Sequence, residues 1–253
     1  MSQVNESPII TVERRKAITI IVSAVIIALA LGVGLTQVGS GFATRAGNGI
    51  TVTGSAKTSA VADNAVWTLS VSLSSPTVGA AVKKVDSDVA ALSSYLTQGG
   101  IEADALTLGP VATFANEEFV NGNSTGRILS YRATRDVTVR TKDVQLVSKL
   151  SQGIGSLLET GINVNNYGPQ YYISNLPELR PELMSEAMKD AKLRAESLTK
   201  AVGGSLGTLV NVKAGPIQIT TPDSTMTADY GAYDTSTINK TVSATVSVTF
   251  NTN

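Results

Sequence analysis

Ser197-Leu198-Thr199-Lys200 has the Ser-x-x-Lys spacing of a hydrolase in which a lysine amine takes the proton of a serine nucleophile. That chemistry needs the serine at a helix start beside an oxyanion loop. Here the tetrapeptide closes a long alanine-striped run, where a lysine normally serves the last carbonyls of a helix. Glu117 and Glu118, with Asp223, Asp229 and Asp234, offer carboxylates for a glycosidase pair or a calcium cluster. Beside Asn121-Gly122-Asn123, however, the adjacent glutamates read as a solvated hairpin loop. The chain has no histidine and no cysteine, so it lacks the commonest general base, the commonest transition-metal ligand, thiolate sites and disulfides. The expectation is no enzyme: no catalytic residue, no cofactor and no metal site.

Binding is the other chemistry the residues offer. Tyr167, Tyr171, Tyr172, Tyr230 and Tyr233 are candidate contacts for a small ligand or a cell-wall polymer, because rings on loops make amphipathic platforms. The last two stand in residues 217–239, a Thr/Asp/Tyr/Ser-rich segment with little apolar periodicity, which reads as a long loop either mobile or engaged with a partner. Twenty basic and twenty acidic side chains leave no net field to gather polyanions, so nucleic acid is not an expected partner. The sequons at Asn123 and Asn239 matter only in a glycosylating host.

What must position these groups begins with a membrane segment. Residues 17–35 contain no charge and as a helix cover about 28 Å of hydrocarbon, enough to span a bilayer. Arg14, Arg15 and Lys16 precede the run and few cations follow it, which puts residues 1–16 in the cytoplasm. The rest, a linker at 36–49 and a domain at 50–253, is then extracytoplasmic. A cleaved signal peptide is the alternative, with Ala28-Leu29-Ala30 as its cleavage site, although the apolar run is long for that role.

Within the exported part, apolar and hydroxyl residues alternate at 50–56, along Trp67, Leu69, Val71 and Leu73, from Leu129 to Arg140 and from Val242 to Phe250. Period-two patterns of this kind predict antiparallel sheet with one face packed and one wet. Further strands are expected at 105–114, 163–173 and 206–212. Val78, Val82, Val85, Val89, Leu92 and Leu96 repeat at steps of three and four and predict a helix opened by Ser75-Pro76 and closed by Gly99-Gly100. A second helix is expected over 143–159, weakened by Gly153 and Gly155. A third follows Asn175 and runs to Val202 before Gly203-Gly204. The predicted class is α+β: antiparallel sheets with helices on one face, a ferredoxin-like βαββαβ unit between Ala65 and Ser174, and one preceding transmembrane helix. The stripe Ala187, Ala191 and Ala195 predicts close helix packing, in the core rather than at an oligomer seam.

Several separated blocks resemble the SIMPL-domain family. They are Ile50 to Ala56; Gly100-Ile101 with Asp104 and Leu106-Thr107; Tyr131-Arg132-Ala133 followed by Val137-Thr138-Val139 and Asp143; and Gly161-Ile162-Asn163. The fullest block is Ala187, Ala191, Ala195, Leu198 and Gly203 followed by Leu206-Gly207, similar to the family's long helix and glycine exit. Ser130 departs from the pattern, standing where relatives usually have glycine. The resemblance implies an extracytoplasmic protein that self-associates as a homo-oligomer, with a role in envelope or oxidative stress, and supplies no catalytic residues.

Overall fold

A computed structural model describes residues 22, 24–31, 49–226 and 228–253. Of the apolar stretch 17–35, residues 22 and 24–31 are helical and exposed. The remainder, with residues 1–16 and the linker up to 48, lies outside the described residues. Among the described residues no helix is long and apolar enough to cross a membrane. The elements that follow are strands β1 Gly49–Val61 and β2 Asn64–Ser75, helix α1 Val78–Gln98, and strands β3 Leu106–Leu108, β4 Ala112–Val120 and β5 Asn123–Thr141. Helices α2 Val144–Gly153 and α3 Gly155–Glu159 come next, then β6 Val164–Asn166, β7 Gln170–Tyr172, α4 Leu176–Ala201, β8 Leu206–Ala214, β9 Gln218–Thr220 and β10 Asn239–Thr252. The class is α+β. One sheet has the order β3-β5-β2-β6, with β4 also on β5 and β7 also on β2; the other has the order β1-β10-β8, with β9 also on β10.

The chain divides into two compact units, and the boundary runs through β1, α4, β8 and β10. The larger comprises Thr53–Arg194 and Val212–Val248. Its main core follows from the alternation in β2, where Ala65, Trp67, Leu69 and Val71 are fully buried. Antiparallel register sets Trp67 opposite Val139 and Leu69 opposite Val137 on β5, so both strands turn the same apolar face inward. Ala81, Val85, Val89, Leu92 and Leu96 of α1 and Val147 and Leu150 of α2 close over that face. Thr77, in extended backbone, caps α1 by accepting the Ala80 N–H. The cap therefore falls after the expected Ser75-Pro76, where an oxygen directly precedes the first helical residue. Asp143 caps α2 through the Leu146 N–H at 2.9 Å. The expected continuous helix at 143–159 is broken at Ile154, because Gly153 and Gly155 flank it and together weaken the helical backbone there.

Two strands depart further from expectation. The 105–114 strand is split into β3 and β4, and β4 runs on to Val120. Glu117 and Glu118 therefore lie in a strand, not a loop: Asn121 (φ 51°) and Gly122 (φ 81°) form the two-residue turn that joins β4 to β5. From Asn123 to Ser130, β5 pairs only with β4, since β2 reaches β5 no further than Ser75 opposite Tyr131. The result is a two-stranded arm beyond the sheet, with Phe119, Val120, Ile128 and Leu129 exposed.

The second core of this unit gathers Ile173, Leu183, Ile219, Val242 and Ala244, with Ala56 and Ala60 of β1. Here β1 meets α4 closely. A methyl group on Gly54 would stand 2.1 Å from the Ala187 carbonyl oxygen and 2.4 Å from the Ala191 nitrogen. Ala187 and Ala191 are fully buried, so this part of the alanine stripe is core packing, as its spacing predicts. Asp190 accepts the Ser55 N–H at 2.8 Å and pairs with Arg194; these two partners, the Ser55 N–H foremost, hold its carboxyl below the usual carboxylate range.

The smaller unit, among the described residues, takes the strand ends at 49–52 and 249–253 and the stretch 195–211. Thr51 and Thr249 share a hydroxyl hydrogen bond of 2.9 Å, and Ser205 and Asn253 exchange two backbone bonds of 3.0 Å. The helix end closes on Gly203 (φ 79°), with the Gly204 N–H donating to the Thr199 carbonyl.

Candidate functional site

The expected strand at 163–173 is two short strands, and the break between them builds the site. Val164–Asn166 pairs with β2 at Leu69–Val71, and Gln170–Tyr172 pairs with β2 at Asn64–Val66. Two residues of β2, Trp67 and Thr68, thus face three of the partner, Tyr167, Gly168 and Pro169. That is a bulge: Gly168 supplies the left-handed backbone (φ 82°) and Pro169 lacks a ladder donor. A bulge re-aims a side chain, and Tyr167 leaves the sheet 86% exposed.

Asn166 holds the bulge in place. Its Oδ1 accepts the indole N–H of Trp67 at 2.8 Å and the Gly168 N–H at 2.9 Å, and its Nδ2 donates to the Ser151 carbonyl of α2 at 3.4 Å. Replacing Asn166 with alanine strands the indole N–H of a fully buried tryptophan. A loss of about 1–3 kcal/mol is expected in urea unfolding, with a change in the emission of Trp67, the chain's only tryptophan.

A second turn faces the bulge. Asp234 accepts from the backbone N–H and hydroxyl of Ser236, from the same two groups of Thr237, and from the Lys240 ammonium at 3.0 Å. Burial works to raise the Asp234 carboxyl, but the donors, led by the Ser236 and Thr237 hydroxyls, outweigh it and hold the group far below the usual carboxylate range. The Lys240 side chain is wholly buried and also donates to the Asp234 carbonyl at 2.6 Å. The Tyr171 N–H donates to the Thr235 carbonyl at 2.8 Å, tying this turn to β7.

Between the two turns and α2 lies an open cleft of about 600 Å³. Tyr167 and Pro169 form one side, Ser148 and Gln152 of α2 another, and Ser236, Thr237 and Asn239 a third. Of this lining the sequence marks only Tyr167 and Tyr171 as contacts, and Asn239 as a sequon; the Gly168-Pro169 dipeptide is the signal that breaks the strand.

The five tyrosines do not meet in one place. Tyr171 and Tyr172 are on β7 rather than a loop, because their stretch pairs with β2 at 64–66. Tyr171 is buried in the main core, and Tyr172 lies 5.9 Å from Tyr233, ring centre to ring centre. Tyr233 accepts the Ile173 N–H at 3.1 Å and, with Tyr230 and Arg180, borders a separate cleft of about 490 Å³. The 217–239 segment is internally laced. The buried Gln218 side chain bonds the backbone of Ala228 and Ala232, and β9 pairs with β10 at Thr241–Ser243.

The remaining candidates lie outside the Tyr167 cleft. Ser197 and Lys200 are exposed on the last turns of α4, while Thr199 between them is buried and donates to the Ala195 carbonyl at 2.9 Å. Glu117 accepts from Ser124 at 2.6 Å, and Glu118 from Thr125 at 3.0 Å and Arg127 at 3.2 Å, all across the arm. Asp223 sits in a turn at φ 64°, and Asp229 is in the following turn. Among the described residues no group of three or more acidic side chains is placed to hold a metal ion.

Against known proteins, residues 50–250 match the family model SIMPL, described as a protein of unknown function (DUF541). The chain belongs to the SIMPL family. A search of curated proteins gave no match. Among solved structures, the SIMPL chain is similar at 14% identity and TM-score 0.21 to a protein described as an amidohydrolase/peptidase from Burkholderia cenocepacia, over 51% of this chain and 32% of that one. An amidase of the hydantoinase/carbamoylase family from Burkholderia vietnamiensis gives 11% identity, TM-score 0.21, and coverage of 52% and 32%. An uncharacterized conserved protein from Listeria innocua gives 9%, 0.20, and coverage of 78% and 92%. This chain thus spans about a third of the length of the two Burkholderia proteins.

Proposed function

We propose that this SIMPL protein is a non-enzymatic envelope component, held in the membrane by residues 17–35, whose extracytoplasmic domain self-associates through the β4–β5 arm. The observation that carries the proposal is the arm itself. An isolated two-stranded hairpin is marginally stable in water, and this one also leaves Phe119 and Leu129 64% and 54% exposed. Apolar side chains on a projecting strand pair, with unpaired strand edges alongside, form a surface that a second copy can cover. A second copy is the occupant because the arm's two open edges are alike in kind, which suits a self-complementary contact. The absence of histidine and cysteine supports the non-enzymatic reading, as does the helix-end setting of Ser197 and Lys200.

The proposal extends to the fold of the larger sheet. The antiparallel order β6-β2-β5-β3, with α1 in one crossover and α2 and α3 in the other, supports reading residues 65–174 as a ferredoxin-like βαββαβ unit.

Because the chain has no cysteine, one introduced thiol reports contact without background. In membranes holding the full-length protein, Phe119→Cys should give a disulfide-linked dimer on mild oxidation. The exposed α3 variant Ser156→Cys should give little. Equal crosslinking at both positions, or none at Phe119, would overturn the assignment of the arm.

A further inference from the structure

We infer that the cleft beside Tyr167 is a binding site for an uncharged, polyhydroxylated ligand of the pyranose class, a unit of a neutral glycan. The inference does not rest on self-association. Its first ground is the chemistry of the lining: hydroxyls, amides, prolines and tyrosine, with no formally charged side chain. By contrast, the groove between β1 and α4 is lined by Lys57, Glu182, Glu186, Lys189 and Asp190, and the Tyr230 cleft by Arg180. A charged ligand would find a counter-ion in either of those, and none in the Tyr167 cleft.

The second ground is the ring. Tyr167 is 86% exposed on a bulge that Asn166 holds in place, so an apolar face is presented to solvent at no cost to the core. A pyranose has the matching duality of a C–H face for an aromatic ring and a rim of hydroxyls that both donate and accept. The third ground is the opposing wall. The Ser236 and Thr237 hydroxyls donate their protons to Asp234, which leaves oxygen lone pairs to accept from a ligand. The side-chain amides of Gln152 and Asn239 have no hydrogen-bond partner among the described residues, and each offers both donors and an acceptor. Both turns are fixed by their own hydrogen bonds before any ligand arrives, which lowers the ordering cost of binding. The cleft's volume of about 600 Å³ is within the ordinary range for small-molecule sites.

The test is saturation-transfer NMR and calorimetry on the full-length protein in detergent, with cellobiose and N,N′-diacetylchitobiose as neutral probes and galacturonate as the charged one. Saturable binding of at least one neutral probe is expected, with galacturonate at least about tenfold weaker. Tyr167→Ala and Gln152→Ala should each weaken the neutral probe about tenfold while leaving the thermal midpoint unchanged, since both side chains are exposed. Tyr230→Ala should leave binding as it was. Failure of both neutral probes to saturate would overturn the inference. So would equal binding of galacturonate, or affinity indifferent to Tyr167 and Gln152 but sensitive to Tyr230.

Discussion

Gly54→Ala is expected to destabilise the protein by about 3 kcal/mol or more in urea unfolding, a large effect for one added methyl group. The new carbon would lie 2.1 Å from a backbone oxygen and 2.4 Å from a backbone nitrogen of α4, so no side-chain rotation can make room. Relief requires α4 to lift from β1, which would open the core of Leu183, Ile219 and Val242. Ala191→Gly removes only the contact with the Ala191 methyl and should not rescue the variant. A measured loss below about 0.5 kcal/mol would mean that α4 and β1 do not meet as described.

Asp234→Ala should cost about 3–5 kcal/mol, because it strands the wholly buried Lys240 ammonium with a single carbonyl partner and frees Ser236 and Thr237 together. Lys240→Met keeps the apolar stem, and the carboxylate keeps its hydroxyl and N–H donors, so its cost should be smaller. The pair also predicts a pH dependence. The folded-state pKa of Asp234 is lowered, so its carboxylate contributes stability that is full above the unfolded value of about 3.9 and is lost as pH falls towards the folded one. Denaturation midpoints should therefore fall between about pH 5 and pH 2, and Asp234→Asn should flatten that slope. A slope unchanged in the asparagine variant would contradict the hydrogen-bond account of this turn.

What could be read from the sequence, and what could not, follows from the range of the interactions involved. Trp67, Leu69 and Val71 alternate because one face of β2 is buried along its length, and Val85, Val89, Leu92 and Leu96 repeat because one side of α1 faces that core; both periods survive in the residue order. The alanine stripe was legible for the same reason, while Gly54 showed no sign of being the surface it packs on. The arm was not legible as an arm. Strands exposed on both faces carry no alternation, so Glu117 and Glu118 looked like loop residues.

The cleft was harder still, since its walls come from α2, the 167–169 bulge and the turn before β10, which are joined only through tertiary contacts. Lys240 ran against the rule that lysines stay in solvent, and only the folded position of Asp234 explains its burial. Asn166 is one of two neighbouring asparagines, and nothing local marks it as the partner of a tryptophan ninety-nine residues earlier.

The most direct test of self-association through the arm is the mass of the full-length protein in detergent by multi-angle light scattering, with the detergent contribution subtracted. The account predicts a whole-number multiple of the 26.2 kDa chain for the native protein, and a shift towards one chain for the paired variant Phe119→Ser/Leu129→Ser at unchanged thermal stability. A native protein of one-chain mass at high concentration would contradict it, as would an oligomer that the paired variant leaves intact.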